Sequence, residues 1–208
     1  GGEESERLPK REEGPQRRHG RRAPRVLEIG IGNGDTLVEL AAAMPEADFI
    51  GAEVHPPGIG HCLLAVETQG LANLRVVAHD AVEFLGHMVP PAALDEVLLY
   101  FPDPWPKKRH HKRRIVQPDF VALVASRLAP GGLFHLATDW APYARHMLKV
   151  LEANPDFSNR VGTGQYSPRP DWRIETHFQP IVSFDKPLEV FAYEALLRGR
   201  EIDGALIS

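Results

Sequence analysis

Between Val26 and Thr138 the chain repeats one unit: a short apolar run, a turn, and an amphipathic stretch. The apolar runs are Val26–Gly30, Phe49–Val54, Leu74–Ala78, Leu94–Phe101 and Leu133–Thr138. After the first, Leu37, Leu40, Ala41 and Met44 recur at the spacing of one helix face. Before the fifth, Phe120, Leu123, Val124 and Leu128 do the same, with Pro118 where a first helical turn tolerates proline. Strands separated by helices pair in parallel and are covered on both faces. The alternation therefore predicts an α/β fold with a doubly wound, mostly parallel sheet. A helix is expected at Ala141–Ala153, and a late antiparallel strand pair at Gln179–Ser183 and Val190–Leu197.

The 208 residues suffice for one domain. Residues 1–24, rich in Gly, Pro, Glu and Arg without apolar periodicity, read as a flexible tail, and residues 25–208 as the domain. A single cysteine, Cys62, excludes an internal disulfide and a cysteine-built zinc site, and suits a reducing cytoplasm. No apolar run approaches the ~18 residues of a membrane span, and the charged start lacks a secretory apolar segment. The ten histidines show no metal-ligand spacing, so no metal is expected. The sequence is compatible with a monomer or a homodimer.

The net charge of −4 argues against a general nucleic-acid binder, but the charge is unevenly spread. Residues 102–114 hold six Lys/Arg against one Asp, and residues 1–25 hold eight against five. The rest of the chain carries 10 basic and 22 acidic residues. An acidic body with one dense basic loop points to a local polyanion contact.

Ligands of an open parallel sheet sit at the carboxyl ends of its strands. Those ends carry Glu28 with Gly30, then Glu53, Asp80, Asp103 and Asp139. The first turn, Gly30-Ile31-Gly32-Asn33-Gly34, has its third glycine one place early for a dinucleotide fingerprint, which disfavours a nicotinamide-dependent oxidoreductase. Glu28 before it would repel a pyrophosphate. The turn suits a ligand with a positive amino-acid end and no phosphate, which S-adenosylmethionine is. Glu53 is placed for ribose hydroxyls and Asp80 for an adenine amino group.

The fourth strand runs into Phe101-Pro102-Asp103-Pro104-Trp105-Pro106. Three prolines stiffen this loop and hold Asp103 and Trp105. Trp105 suits either base stacking or packing on the sheet. Lys107-Lys108-Arg109-His110-His111-Lys112-Arg113-Arg114 follows, with cations, Arg109 and Arg113 among them, to hold phosphates beside the site.

Glu28 to Gly34, Gly51 to His55 with Pro57 to Gly60, His79-Asp80-Ala81, Phe101 to Arg114 and Thr138-Asp139-Trp140 together resemble the tRNA (guanine-N7)-methyltransferase family, in order from about Arg25 to Trp140. The resemblance implies a Rossmann-like class I methyltransferase fold, S-adenosylmethionine as donor and a variable-loop guanine of tRNA as acceptor. It implies that Glu28, Gly30, Gly32, Gly34, Glu53, Asp80, Ala81 and Asp103 line the cofactor, with Asp103 catalytic. It further implies that Lys107, Asp139 and the stretch Thr176-His177-Phe178-Gln179 contact the substrate. At Gln179 the family has a glutamate followed by arginine and glycine, which this chain lacks. Two other readings are an amino-group RNA methyltransferase, because Asp103-Pro104-Trp105 distantly echoes the acid-proline-aromatic loops of base N-methylating enzymes, and an RNA-binding module with weak or lost methyl transfer.

Overall fold

The computed structural model of the chain describes residues 23–167 and, as backbone, Phe191–Leu197. The apolar runs form strands β1 (Arg25–Ile29), β2 (Asp48–Glu53), β3 (Leu74–Ala78), β4 (Leu94–Tyr100) and β5 (Leu128–Thr138). Helices α1 (Asp35–Ala43), α2 (Pro56–Gln69), α3 (Ala81–His87) and α4 (Pro118–Arg127) fall between them. After β5 come α5 (Ala141–Glu152), β6 (Phe157–Asn159) and β7 (Phe191–Leu197). The sheet order is β3-β2-β1-β4-β5-β7-β6. β1 to β5 run parallel, β7 is antiparallel to β5, and β6 is antiparallel to β7. This is a doubly wound Rossmann-like sheet whose order reverses between β1 and β4, where such folds open a crevice.

Both faces of the sheet are covered, so the strands read as nearly continuous apolar runs. Leu27, Ile29, Val97, Leu99, Phe134 and Leu136 face α3, α4 and α5 in one buried cluster with Phe84, Val121 and Tyr143. Val26, Phe49, Leu74 and Leu98 face the other way, onto Leu37, Leu40 and Cys62 of α1 and α2. The period-two alternation within each strand divides these two cores.

Several boundaries shift by a single residue, and a few differences have a physical reason. Leu128, expected on the α4 stripe, opens β5 instead, five residues before the strand was expected. Pro130 is the reason: the residue before a proline is excluded from the helical region, and Gly131 at φ 77° turns the chain outward. The β4–β5 register slips there, between Leu94 and Glu96. Phe101, expected in β4, leaves the strand at φ 48°. The strand on the far side of β7 is the three-residue β6, too short to carry a periodic signal; Gln179–Ser183 lies outside the described residues, as does most of the 1–24 tail. No helix among the described residues is long and apolar enough to cross a membrane.

Candidate active site

The glycine turn leaves β1 at the switch point. Gly30 and Gly32 take φ 71° and 56°, and nothing lies within 4 Å of where a side chain at either would begin, so the turn offers bare backbone to a ligand. Gly34, at φ 81°, precedes α1, and a Cβ there would come 2.5 Å from Cys62 Sγ. Its N–H donates to the Ile31 carbonyl, so Gly34 serves the packing of the turn on α2. Gly58, not predicted as functional, does the same from the other side: a Cβ on it would strike the Gly32 carbonyl oxygen. The signal for it was its place in Pro56-Pro57-Gly58, at a helix start aimed at the turn.

Glu28 is buried near the end of β1, in register with Gly51 and Leu98. Glu53 ends β2 and clasps the turn: Gly32 N donates to its Oε2 at 2.9 Å, and Val54 N and His55 N donate to Oε1 at 2.7 and 3.0 Å. Three backbone donors thus fix the carboxylate expected to receive ribose hydroxyls. Asp80 caps α3, its Oδ1 accepting from Val82 N and Glu83 N at 2.9 and 3.0 Å, with Ala81 the first helical residue. A cavity of about 680 Å³ opens beside Asp80, walled by Val54, Ile59 and Ala78 and rimmed by His79 and Glu83. The carboxyl edge of the sheet thus offers a bare glycine turn, an anchored carboxylate and an apolar slot with an acidic rim. Burial, followed by Glu28 and Asp35, pushes the Cys62 thiol above its usual range, so Cys62 remains a neutral packing group.

The second half of the site is the lip after β4. A proline-rich loop has carbonyl acceptors but few N–H donors, so its buried carbonyls need side-chain partners from elsewhere. They come from the basic run. Arg114 Nε donates to the Pro104 carbonyl at 2.7 Å, and His111 Nε2 lies 3.3 Å from the Pro106 carbonyl. Residues 108–113 coil into one 3-10 helix, and Gln117 Nε2 donates to the His111 and Arg114 carbonyls at its end. Arg114 is only 3% exposed and lies over the Tyr143 ring at 4.8 Å. Burial lowers the Arg114 pKa from its usual value. Tyr143 Oη accepts from Val116 N at 3.3 Å, and burial, outweighing that bond and Arg114, pushes the phenol up to about 12. Asp103 contributes to the same upward push, which puts its carboxylate within electrostatic reach of Tyr143.

The basic run is therefore not uniform. Arg114 is structural, and its Nη2 is buried without a hydrogen-bond partner. Arg113 lies with its guanidinium 5.0 Å from the Trp105 ring centre, and the His110 ring meets the same indole edge-on at 5.8 Å. Arg109 Nε donates to His110 Nε2 at 3.2 Å. Lys107, Lys108, Arg109, Lys112 and Arg113 are exposed, as are Asp103 and Asp139. Asp139 follows the buried Thr138, whose Oγ1 accepts from Trp140 N at 3.2 Å before α5 begins. The sheet brings Glu28, Gly30, Gly32, Glu53, Asp80, Asp103 and Asp139 to its carboxyl edge, while Thr176, His177, Phe178 and Gln179 lie outside the described residues. Among the described residues no group of three potential metal ligands converges.

Residues 22–186 match the model of a family described as "Putative methyltransferase". A tRNA (guanine-N(7)-)-methyltransferase of Alkalilimnicola ehrlichii is 60% identical over 163 residues, which span 78% of this chain and 68% of that protein. One of the same name from Alcanivorax borkumensis is 57% identical over 165 residues, 79% of this chain and 69% of that protein. The chain belongs to the tRNA (guanine-N(7)-)-methyltransferase family. As the fold predicts, it is also similar to the crystal structure of a SAM dependent methyltransferase from Aquifex aeolicus, with a TM-score of 0.57 at 13% identity over 84% of this chain and 82% of that one. At that identity the likeness speaks for the sheet and its helices. The family assignment rests on the two curated relatives and the matched family model.

Proposed function

We propose that this chain transfers a methyl group from S-adenosylmethionine to N7 of a variable-loop guanine in tRNA, with residues 25–208 as the catalytic domain. The cytoplasm, where tRNA is processed, is its expected compartment. The observation that carries this reading is the meeting of two preorganised parts at the β1/β4 switch point: the Glu53-clasped glycine turn and the stiff lip that presents Asp103. S-adenosylmethionine supplies the methyl group as an electrophilic sulfonium. Guanine N7 has a free lone pair and no proton, so the protein need not remove one before the bond forms. Its task is positioning and the handling of charge.

Glu28, Gly30, Gly32, Glu53, Asp80, Ala81 and Asp103 line the cofactor, with Gly34 holding the turn that presents it. Asp103 is proposed to accept from the N–H edge of the guanine, orienting N7 and favouring the positive charge that the purine gains. Lys107, Arg109, Arg113 and Asp139 meet the RNA, together with Thr176, His177, Phe178 and Gln179. A neutral amide at Gln179 still accepts a hydrogen bond, though a weaker one than a carboxylate.

The test is incubation of the purified chain with unmodified tRNA and labelled S-adenosylmethionine, followed by mass-spectrometric location of the methyl group. The expected product is 7-methylguanosine in the variable loop. A methylated exocyclic amine would assign the chain to the amino-group enzymes. Tight tRNA binding with no transfer in a single turnover would reduce it to a binding module.

A further inference from the structure

Trp105 lies on the lip, two residues beyond Asp103. It is half-buried and adopts φ 40°, a left-handed conformation that an L-residue holds only under constraint from its surroundings. The Arg114 bond to the Pro104 carbonyl braces the loop in that conformation, against the extended backbone that Pro106 favours for the residue before it. The indole is thus held at a strained backbone position. Its face carries a flat, delocalised cation, the Arg113 guanidinium, at 5.0 Å, while His110 touches it edge-on. Arg113 itself is exposed and on a long stem, so it can be replaced there.

The chemistry proposed above makes a second flat, delocalised cation. As the N7 lone pair forms its bond to the methyl carbon, the electron pair of the carbon–sulfur bond leaves with sulfur. The sulfonium becomes a neutral thioether, the purine gains one positive charge, and no proton moves. A surface that binds a planar cation better than a neutral ring then stabilises the transition state more than the bound base, the condition for raising the rate.

We propose that Trp105 is a catalytic residue: the target guanine stacks on the indole face now covered by Arg113, and the indole stabilises the positive charge that develops on the purine. Arg113, released from the ring, is then free to meet RNA phosphate. The proposal rests on the reading of the chain as a guanine-N7 methyltransferase and goes further by assigning the charge-stabilising surface.

Two arms test it in the full chain. The first measures single-turnover transfer to unmodified tRNA for wild type, Trp105→Phe and Trp105→Leu, with S-adenosylmethionine affinity followed by calorimetry. The rate is expected to fall about 3-fold for Phe and roughly 30-fold for Leu, in the order of cation–π strength, with cofactor affinity unchanged. Equal rates in all three, or a Phe variant as slow as the Leu variant, would overturn the proposal. The second arm needs no catalysis. With Trp140→Phe and Trp172→Phe, Trp105 is the sole tryptophan emitter of the three in the chain. Added 7-methylguanosine monophosphate is expected to quench it and to bind at least several-fold more tightly than guanosine monophosphate, and equal binding would count against the proposal. If Trp105→Leu fails to fold, the Phe variant and the quenching arm still decide. A chain that binds the methylated nucleotide preferentially yet methylates no tRNA would refute the enzyme assignment while leaving the cation-binding face intact.

Discussion

The two halves of this site are rigid for opposite reasons. The cofactor side, at the ends of β1 to β3, is built from backbone. Glycines open the turn, and the carboxylates of Glu53 and Asp80 collect N–H groups from residues close to them in the fold. The lip after β4 is built from side chains. Its prolines remove donors, so Arg114 and His111 supply them, and Arg114 is propped in turn by the buried Tyr143 ring. A backbone-built site tolerates change poorly where space is short. A side-chain-built site fails where a buried charge or hydroxyl loses its partner.

The sharpest way to break the contrast is to remove the reacting edge of the lip alone. Asp103→Ala is expected to lower single-turnover methyl transfer by about 100-fold or more, the scale of losing one preorganised group, while S-adenosylmethionine still binds. A calorimetric titration showing that the cofactor is lost as well would merge the two halves into one.

Next is the support beneath the lip. With the Tyr143 phenol raised from 10 to about 12 in the folded chain, both states keep the proton below pH 10. Between pH 10 and 12 the unfolded chain ionises first, so stability falls with rising pH, by on the order of 3 kcal/mol. Urea unfolding of wild type and Tyr143→Phe across that range should show a steeper alkaline loss in wild type. Parallel curves would mean that the phenol is not sealed under the lip.

Gly58→Ala probes the cofactor side. The new methyl group meets the Gly32 carbonyl, an overpacking expected to cost about 1–3 kcal/mol and to weaken S-adenosylmethionine binding roughly tenfold, with tRNA affinity preserved. A variant that lost tRNA binding first would put the turn on the wrong side of the comparison.

The smallest effect is expected at Asp80. Replacing it with alanine removes the α3 cap, worth about 1 kcal/mol, whereas asparagine keeps the cap. If Asp80→Asn matches wild type in melting temperature but still binds the cofactor more weakly, the carboxylate has a ligand role beyond capping. Equal cofactor affinity would leave it a cap only.

Much of the fold was legible because its signals are local. The periodicity of Leu37, Leu40 and Ala41, and the apolar runs around Leu27 and Val76, identify elements without reference to partners. The helix–strand boundary at Leu128 was misread because an apolar residue fits either pattern, and Pro130, two residues on, decided the matter. β6 was invisible, since three residues pair only because β7 offers an edge. Within the site, the acids at the strand ends were readable, but the Glu53 clasp on Gly32, 21 residues away, was not.

By itself, the sequence determined which residue types stand at the carboxyl ends of the strands, because strand length, turn glycines and prolines are properties of short segments. Only the tertiary structure decided which cations are free for a polyanion. Arg113 and Arg114 are neighbours of the same charge, yet one lies exposed on Trp105 and the other is sealed against Pro104 and Tyr143. Burial follows from what packs against a side chain, and that is set by chain brought back from α5, 29 residues beyond Arg114 at Tyr143.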